Sequence, residues 1–304
     1  MSVDLAVAVG SVRLPNPVMT ASGTSGHGAE LGAYGDLAGL GAVVVKSLSA
    51  GPWAGNPAPR VHEVAAGMLN SVGLQGPGVD AWADQDLPPL VAAGARVVVS
   101  LWGRSVEDFA AAAARLAERA DPAVVAVEVN VSCPNVEDRS RMFAHSPTAT
   151  AEAVAAAECG LPRWAKLSPN VADIVEIAAA ALGAGAEALT LTNTLLGLAV
   201  DLERRRPALG AGGGGLSGPA LHPVAVRAVW ECRQAFPEAA IVGVGGVGGG
   251  ADAVELLIAG ADAVQVGTAT FKDPRAPWKV LAQLERWCAR HRVAAVRDLR
   301  RADG

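Results

Sequence analysis

Short apolar runs separated by longer amphipathic or alanine-rich stretches recur from residue 18 to residue 288. Eight runs stand out: Val18–Ala21, Ala42–Ser47, Val97–Leu101, Val124–Val131, Trp164–Leu167, Ala188–Asn193, Ile241–Val244 and Ala263–Val266. Each is short and mostly apolar, as strands buried on both faces are. Between them apolar positions return at helical spacing, for example over Val106–Ala120 and Val171–Leu182. Alternating strand and helix signals predict parallel strands joined by crossover helices. Eight such units in 304 residues predict an α/β fold, a (β/α)8 TIM barrel, whose ordinary length is about 250 residues.

The excess length belongs to insertions. Leu5–Val9 and Val12–Leu14 flank Gly10–Ser11 and read as an N-terminal β-hairpin capping the barrel floor. The other insertions follow the second, fourth and sixth strands, which puts them at the C-terminal face, where barrel enzymes build their sites. No proline-rich linker, composition shift or internal repeat divides the chain, so residues 1–304 are expected to form a single domain.

The chain is 51% hydrophobic but only 4% aromatic, a balance suited to small residues packing helices closely on a buried sheet. Its net charge of −5 and its single tight basic group, Arg204-Arg205-Arg206, argue against a nucleic-acid surface, and that triplet is expected to be a solvated turn. Met1–Asp4 lacks the features of a signal peptide, and no strongly apolar stretch approaches the roughly 20 residues that span a bilayer. A cytoplasmic protein with no membrane partner is expected. The cysteines, Cys133, Cys159, Cys232 and Cys288, are too far apart for the close pairs of zinc or iron–sulfur sites, so no metal centre is expected. The last three lie in helical stretches and are expected to be reduced packing residues.

Polar residues gather where the apolar runs end: Ser22, Lys46 with Ser47, Ser100, Asn130 with Cys133, Lys166, Asn193 with Thr194, Gly245-Gly246 and Gly267-Thr268. A barrel brings these together. Lysines ending apolar strands need anionic partners, since an unpaired buried ammonium is costly, and a bound ligand is expected to supply both charges. Glycine-rich turns at the last two strand ends predict a phosphate site, hence a phosphorylated cofactor or substrate. Cys133 is flanked by Asn130 and Asn135 and has no acidic, basic or His residue within three positions, so no local device lowers its pKa. On these residues alone it could be a base, a nucleophile or a buried loop thiol. His27, His62, His145, His222 and His291 occupy no recognisable catalytic motif with it.

A series of motifs then runs nearly end to end: Ala21-Ser22-Gly23, Val45-Lys46-Ser47, Gly55-Asn56-Pro57 with Pro59-Arg60, and Asn70-Ser71-Val72-Gly73-Leu74-Gln75. It continues through Asn130-Val131-Ser132-Cys133-Pro134-Asn135, Lys166-Leu167-Ser168-Pro169-Asn170, Thr192-Asn193-Thr194 and Gly214-Gly215-Leu216-Ser217-Gly218-Pro219. In this order they resemble the class 1 dihydroorotate dehydrogenases, and among them the FMN-containing catalytic subunits of class 1B. The resemblance implies oxidation of dihydroorotate to orotate in pyrimidine synthesis, with Cys133 as the base that takes the C5 proton. It implies that Lys46, Asn70, Ser71, Val72, Gly73, Leu74, Asn130, Asn193 and Thr194 hold the substrate, the Asn70–Leu74 loop closing on its carboxylate side. FMN would be held by Ser22, Lys46, Ser47, Ser100, Asn130, Lys166, Thr192, Gly218, Gly245, Gly246, Gly267 and Thr268. Class 1B further implies a partner subunit with FAD and a [2Fe-2S] cluster that passes electrons to NAD, in a homodimer or heterotetramer.

Some positions depart from the family pattern. Ser100 stands where Asn is usual, Gly76 replaces Asn in the substrate loop, Gly212-Gly213 replace bulkier residues, and Arg139-Ser140-Arg141 replaces a glycine-rich stretch after Cys133. These changes keep rivals in view. They are another FMN barrel acting on a pyrimidine-like ring, such as a dihydropyrimidine dehydrogenase relative or a dihydrouridine synthase, a fumarate-linked class 1A enzyme, and a non-catalytic flavin-binding barrel. The acidic balance speaks against a tRNA substrate.

Overall fold

Eight parallel strands form one sheet in a computed structural model that describes residues 3–119, 121–135 and 141–300. Ala120, at the end of a predicted helix, and Arg139 and Ser140 lie outside the described residues. In chain order the strands are β1 (Val18–Thr20), β2 (Val43–Val44), β3 (Val97–Leu101), β4 (Val124–Asn130), β5 (Arg163–Leu167), β6 (Ala188–Leu191), β7 (Ala240–Val244) and β8 (Ala263–Val266). Each neighbours the next, and β8 pairs with β1. The circuit closes between β1 and β2, where the Gly41 N–H donates to the Val18 carbonyl at 2.8 Å and the Thr20 N–H to the Ala42 carbonyl at 3.3 Å. The predicted (β/α)8 barrel is therefore the fold.

The outer layer is made of α1 (Val79–Gln85), α2 (Leu87–Ala92), α3 (Val106–Glu118), α4 (Pro147–Ala156), α5 (Ile174–Gly183), α6 (His222–Ala235), α7 (Gly250–Ala259), α8 (Ala269–Lys272) and α9 (Ala276–Arg290). The β1–β2 connection holds only the 3-10 turn Glu30–Ala33. Helix starts follow their caps. The Ser105 hydroxyl accepts from the Asp108 N–H at 3.3 Å, and Ser146 does the same for Ala149 at 3.3 Å. The Asp173 carboxylate accepts from Val175 and Glu176 at 2.9 and 3.3 Å, which starts α5 at Ile174 rather than at Val171. Helix α3 buries Phe109, Ala112, Ala113 and Leu116, a stripe at helical spacing that faces the sheet.

Inside the barrel, residues two apart on a strand share a face. At the floor, Val98, Ala126, Trp164, Ala188, Val242 and Ala263 pack with Val9, Val12 and Leu14 of the N-terminal hairpin (Val7–Val9 and Val12–Leu14). Each fully buried large side chain contributes about 1.5 to 3 kcal/mol relative to exposure. One step further along, the same faces carry Ser100, Glu128, Lys166, Thr190 and Gln265, all buried. The interior is thus apolar at the floor and polar at the C-terminal face.

That face is covered by the insertions. A four-stranded antiparallel sheet, ordered Leu195–Gly197, Gly214–Ser217, Gly67–Asn70 and Val61–Val64, joins the segments that follow β2 and β6. After β4, Pro134–Asn135 pairs with Arg141–Met142. Beyond β6, Val200–Asp201 pairs with Arg206–Pro207, and Arg204, Arg205 and Arg206 are exposed there, as expected of a solvated turn. No helix among the described residues is long and apolar enough to cross a membrane.

Candidate active site

A belt of small polar side chains crosses the strand ends. Ser22 and Ser47 hydroxyls lie 3.3 Å apart, and Ser47 and Ser100 hydroxyls 2.8 Å apart. The Asn130 amide donates to Ser47 at 3.3 Å, and the Asn193 amide donates to the Asn130 side-chain oxygen at 3.1 Å. The belt therefore links β1, β2, β3, β4 and the segment after β6, and brings together five residues predicted for the site. Ser100, shorter than the usual Asn, takes part through its hydroxyl.

Beneath the belt lies a buried charge network that sequence reasoning missed. Glu128 is fully buried; its carboxylate accepts from the Lys166 ammonium at 3.2 Å and from the Gln265 amide at 2.7 Å. The charge of Lys166 is thus met within the protein, which corrects the expectation that a ligand supplies a counter-charge to both lysines. Removing Glu128 would leave a buried ammonium uncompensated, a loss of about 3 to 5 kcal/mol. The missed signal was parity, since Glu128 shares a face with Asn130 inside an apolar strand.

Lys46 differs. It is half-buried, and no carboxylate among the described residues lies within ion-pair distance of it. Burial, then the positive Arg60, hold its pKa below the usual lysine value. Burial and Lys46 also keep the His27 imidazole below its ordinary range, and its buried Nε2 has no partner among the described residues. An anionic ligand at Lys46 would relieve this local excess of positive charge.

The loop residues expected to hold substrate are placed by their own hydrogen bonds. The Asn70 amide donates to the Gly215 carbonyl at 3.2 Å, and the Asn56 amide to the Ser71 hydroxyl at 2.8 Å. The Asn56 N–H donates to the Val72 carbonyl at 3.0 Å. Thr194 packs so closely on Gly215 that a Cβ there would sit 1.9 Å from its hydroxyl oxygen. The Asn170 amide accounts for the Thr194 position by donating to its carbonyl at 2.9 Å.

Cys133 lies in a less polar setting than its sequence neighbours imply. The thiol is fully buried and shares an apolar cluster with Trp102, Phe109 and Phe143. It donates to the Asn130 carbonyl at 3.1 Å. Burial pushes its pKa up from 9.0 to about 12, against a smaller lowering by hydrogen bonding from the Gly103 backbone.

The glycine turns of the last strands meet the insertion. Gly218 and Gly246 both have positive φ, at 95° and 67°, a region that favours glycine. A Cβ on Gly246 would lie 2.9 Å from the Gly218 carbonyl oxygen, and one on Gly218 would lie 3.7 Å from Thr268 Cγ2. The Thr268 hydroxyl donates to that of Ser217 at 2.8 Å. Gly267 completes the contact, because its Cβ would touch Ala21 at 3.3 Å.

A sequence model of the family described as dihydroorotate dehydrogenase matches residues 4–287 of the chain. The chain belongs to the dihydroorotate dehydrogenase family. It is 49% identical over 303 residues to the dihydroorotate dehydrogenase B (NAD(+)) catalytic subunit of Desulforudis audaxviator, covering 98% of this chain and 97% of that one. The subunit of the same name from Citrifermentans bemidjiense is 47% identical over 298 residues, and that from Geobacter sulfurreducens 46% over 300, each with 97% of both chains covered. Membership bears out the resemblance read from the motifs, class 1B included, and makes the protein an oxidoreductase of a flavin-dependent family.

Proposed function

We propose that this chain is an FMN-binding barrel that oxidises (S)-dihydroorotate to orotate in pyrimidine synthesis, as the catalytic subunit of a cytoplasmic class 1B enzyme. The observation that carries the reading is the polar belt from Ser22 to Asn193 beside an ammonium, that of Lys46, with no carboxylate partner among the described residues. A planar ligand bearing amide groups and a carboxylate satisfies both features.

The site residues fit FMN. Side-chain-free backbone at Gly218, Gly245, Gly246 and Gly267, backed by the Thr268 hydroxyl, suits a phosphate. Buried hydroxyls of Thr192 and Ser132 have no partner among the described residues, and with the belt they suit the polar edge of a flavin ring. Ser22, Lys46, Ser47, Ser100, Asn130 and Lys166 complete the proposed set. When bound, FMN supplies the acceptor for the hydride that leaves C6 of the substrate.

The protein's own part is to hold the substrate and move one proton. Lys46 neutralises its anionic group, Asn130 and Asn193 read its amides, and Asn70–Leu74 and Thr194 close over it. Cys133 removes the C5 proton as thiolate, while Glu128 holds Lys166 in place beneath the belt. The word "NAD(+)" and the term "catalytic subunit" in the relatives' names support a separate partner that passes electrons to NAD, for which the family resemblance implies FAD and a [2Fe-2S] cluster in a homodimer or heterotetramer.

Anaerobic mixing of the yellow protein with dihydroorotate tests the reading. The flavin absorbance should bleach within the mixing experiment, and it should recover on adding NAD with the partner subunit rather than fumarate or a quinone. An unbleached flavin at saturating dihydroorotate refutes the substrate; recovery with fumarate alone refutes the class.

A further inference from the structure

Position 53 is a tryptophan standing between the substrate loop and the Trp102–Arg104 turn that follows β3. On the loop side its backbone pairs with that of Gly76 through hydrogen bonds of 2.9 and 3.0 Å, and its indole N–H donates to the Gly73 carbonyl at 3.0 Å. On the wall side the ring meets Trp102 edge-on, with centroids 5.8 Å apart and planes at 71°. The Arg104 guanidinium lies 4.5 Å from its centroid. Aromatic edges and cations are both attracted to the indole face and edge charges that such geometries present.

The Trp102–Arg104 turn is itself fixed. The Trp102 N–H donates to the Leu48 carbonyl at 3.0 Å, and the Arg104 N–H to the Asp108 carboxylate in α3 at 3.0 Å. Behind the turn, Phe109 of α3 meets Phe143 edge-on, the Phe143 N–H donates to the Cys133 carbonyl at 3.2 Å, and Trp102 belongs to the same buried apolar cluster as the thiol. One turn, held at both ends, therefore packs on the apolar cluster that contains the thiol and touches the Trp53 ring with Trp102 and Arg104. Gly76 contributes no side chain to this contact, so Trp53 carries it.

We propose that Trp53 is a positioning residue for the reaction: it latches the Asn70–Gly76 loop onto the Trp102–Arg104 turn and so sets the distance between bound substrate and Cys133. The latch rests on the reading of that loop as the substrate clamp and of Cys133 as the base. Trp53 is 37% exposed, so its truncation leaves the barrel core intact, whereas Trp102 is buried.

The test uses the FMN-loaded protein and compares wild type, W53F, W53A, W102A and the double variant. Hydrogen exchange across residues 70–76 should quicken about tenfold in W53A and less in W53F, with FMN content unchanged. The limiting rate of flavin reduction by dihydroorotate should fall about tenfold in W53A and in W102A, and the double variant should be no slower than about twofold beyond either, because both remove one contact. Additive losses, near a hundredfold in the double variant, or unchanged exchange in W53A overturn the latch. If W102A does not fold, exchange and rates in W53A against W53F decide it alone. A C133A control separates the two readings. Wild-type reduction in C133A removes the base assignment, whatever the exchange shows, while slow C133A beside wild-type W53A removes the latch only.

Discussion

At the scale of the residue, Cys133 is held as a thiol by the same packing that shields it. Its hydrogen bond runs outward to the Asn130 carbonyl, and burial raises its pKa to about 12. In the role proposed for it, a general base contributes about 10² to 10⁴ in rate. C133A should therefore keep its FMN and visible spectrum while flavin reduction by dihydroorotate slows by that factor in anaerobic stopped flow; unchanged kinetics would remove the assignment. The pH dependence has a definite sign. Only the thiolate accepts a proton, and below its pKa the thiolate fraction grows about tenfold per pH unit. The reduction rate of the wild-type protein should climb with pH through 9 and 10 without a plateau, and a plateau near 7 would mean that substrate binding lowers this pKa strongly. The sequence made Cys133 visible through its Asn and Ser neighbours. It could not show the burial, because the apolar cluster the thiol belongs to draws Trp102, Phe109 and Phe143 from other elements. Glu128 was hidden for the related reason that its partners, Lys166 and Gln265, stand on strands far along the chain.

At the scale of the element, strands and helices whose pattern is local were legible, and pairings between insertions were not. β2 is shorter than its apolar run, because beyond Val44 the chain turns from a ladder to single bonds, such as Val45 N–H to the Val98 carbonyl at 3.0 Å. The four-stranded sheet over the site escaped the pattern because its strands are short, and two of them begin with glycine. Its central pair also joins Asn70 to Gly215 across 145 positions. The glycine turns were legible as turns, and the structure gives the reason for their chemistry. Gly246 has φ of 67°, and an added Cβ would stand 2.6 Å from that of His222 and 2.9 Å from the Gly218 carbonyl oxygen. G246A should thus push apart the turns that would hold the phosphate. The expected outcome is a protein that folds but retains FMN at least about tenfold more weakly, a loss above 1.4 kcal/mol, measured by flavin fluorescence on dilution. Wild-type retention would place the phosphate elsewhere.

At the scale of the whole molecule, the eight-unit rhythm was the clearest signal in the chain, since each barrel unit repeats one strand and one connection. What closes the barrel also buries reactive groups in it, and this couples stability to alkaline pH. Cys133 and Cys232 are both fully buried, and burial raises each pKa from 9.0 to about 12. In the unfolded chain these thiols ionise near their ordinary value, while the folded protein keeps them protonated. From about pH 9 toward 12 the unfolded state therefore binds fewer protons than the folded one, and stability falls as pH rises, by up to about 1.4 kcal/mol per pH unit for each thiol. Lys46 works in the opposite sense: its folded pKa is lowered, so the cost of burying its charge fades as the pH rises. A variant is needed to isolate one group. C232A, which removes a thiol remote from the proposed chemistry, should unfold more easily than wild type at pH 8 because a buried side chain is shortened. Between pH 9 and 11, however, its unfolding free energy in denaturant titrations should fall less steeply, by up to about 1.4 kcal/mol per pH unit. Parallel slopes in the two proteins would mean that Cys232 ionises as readily in the folded barrel as in the open chain.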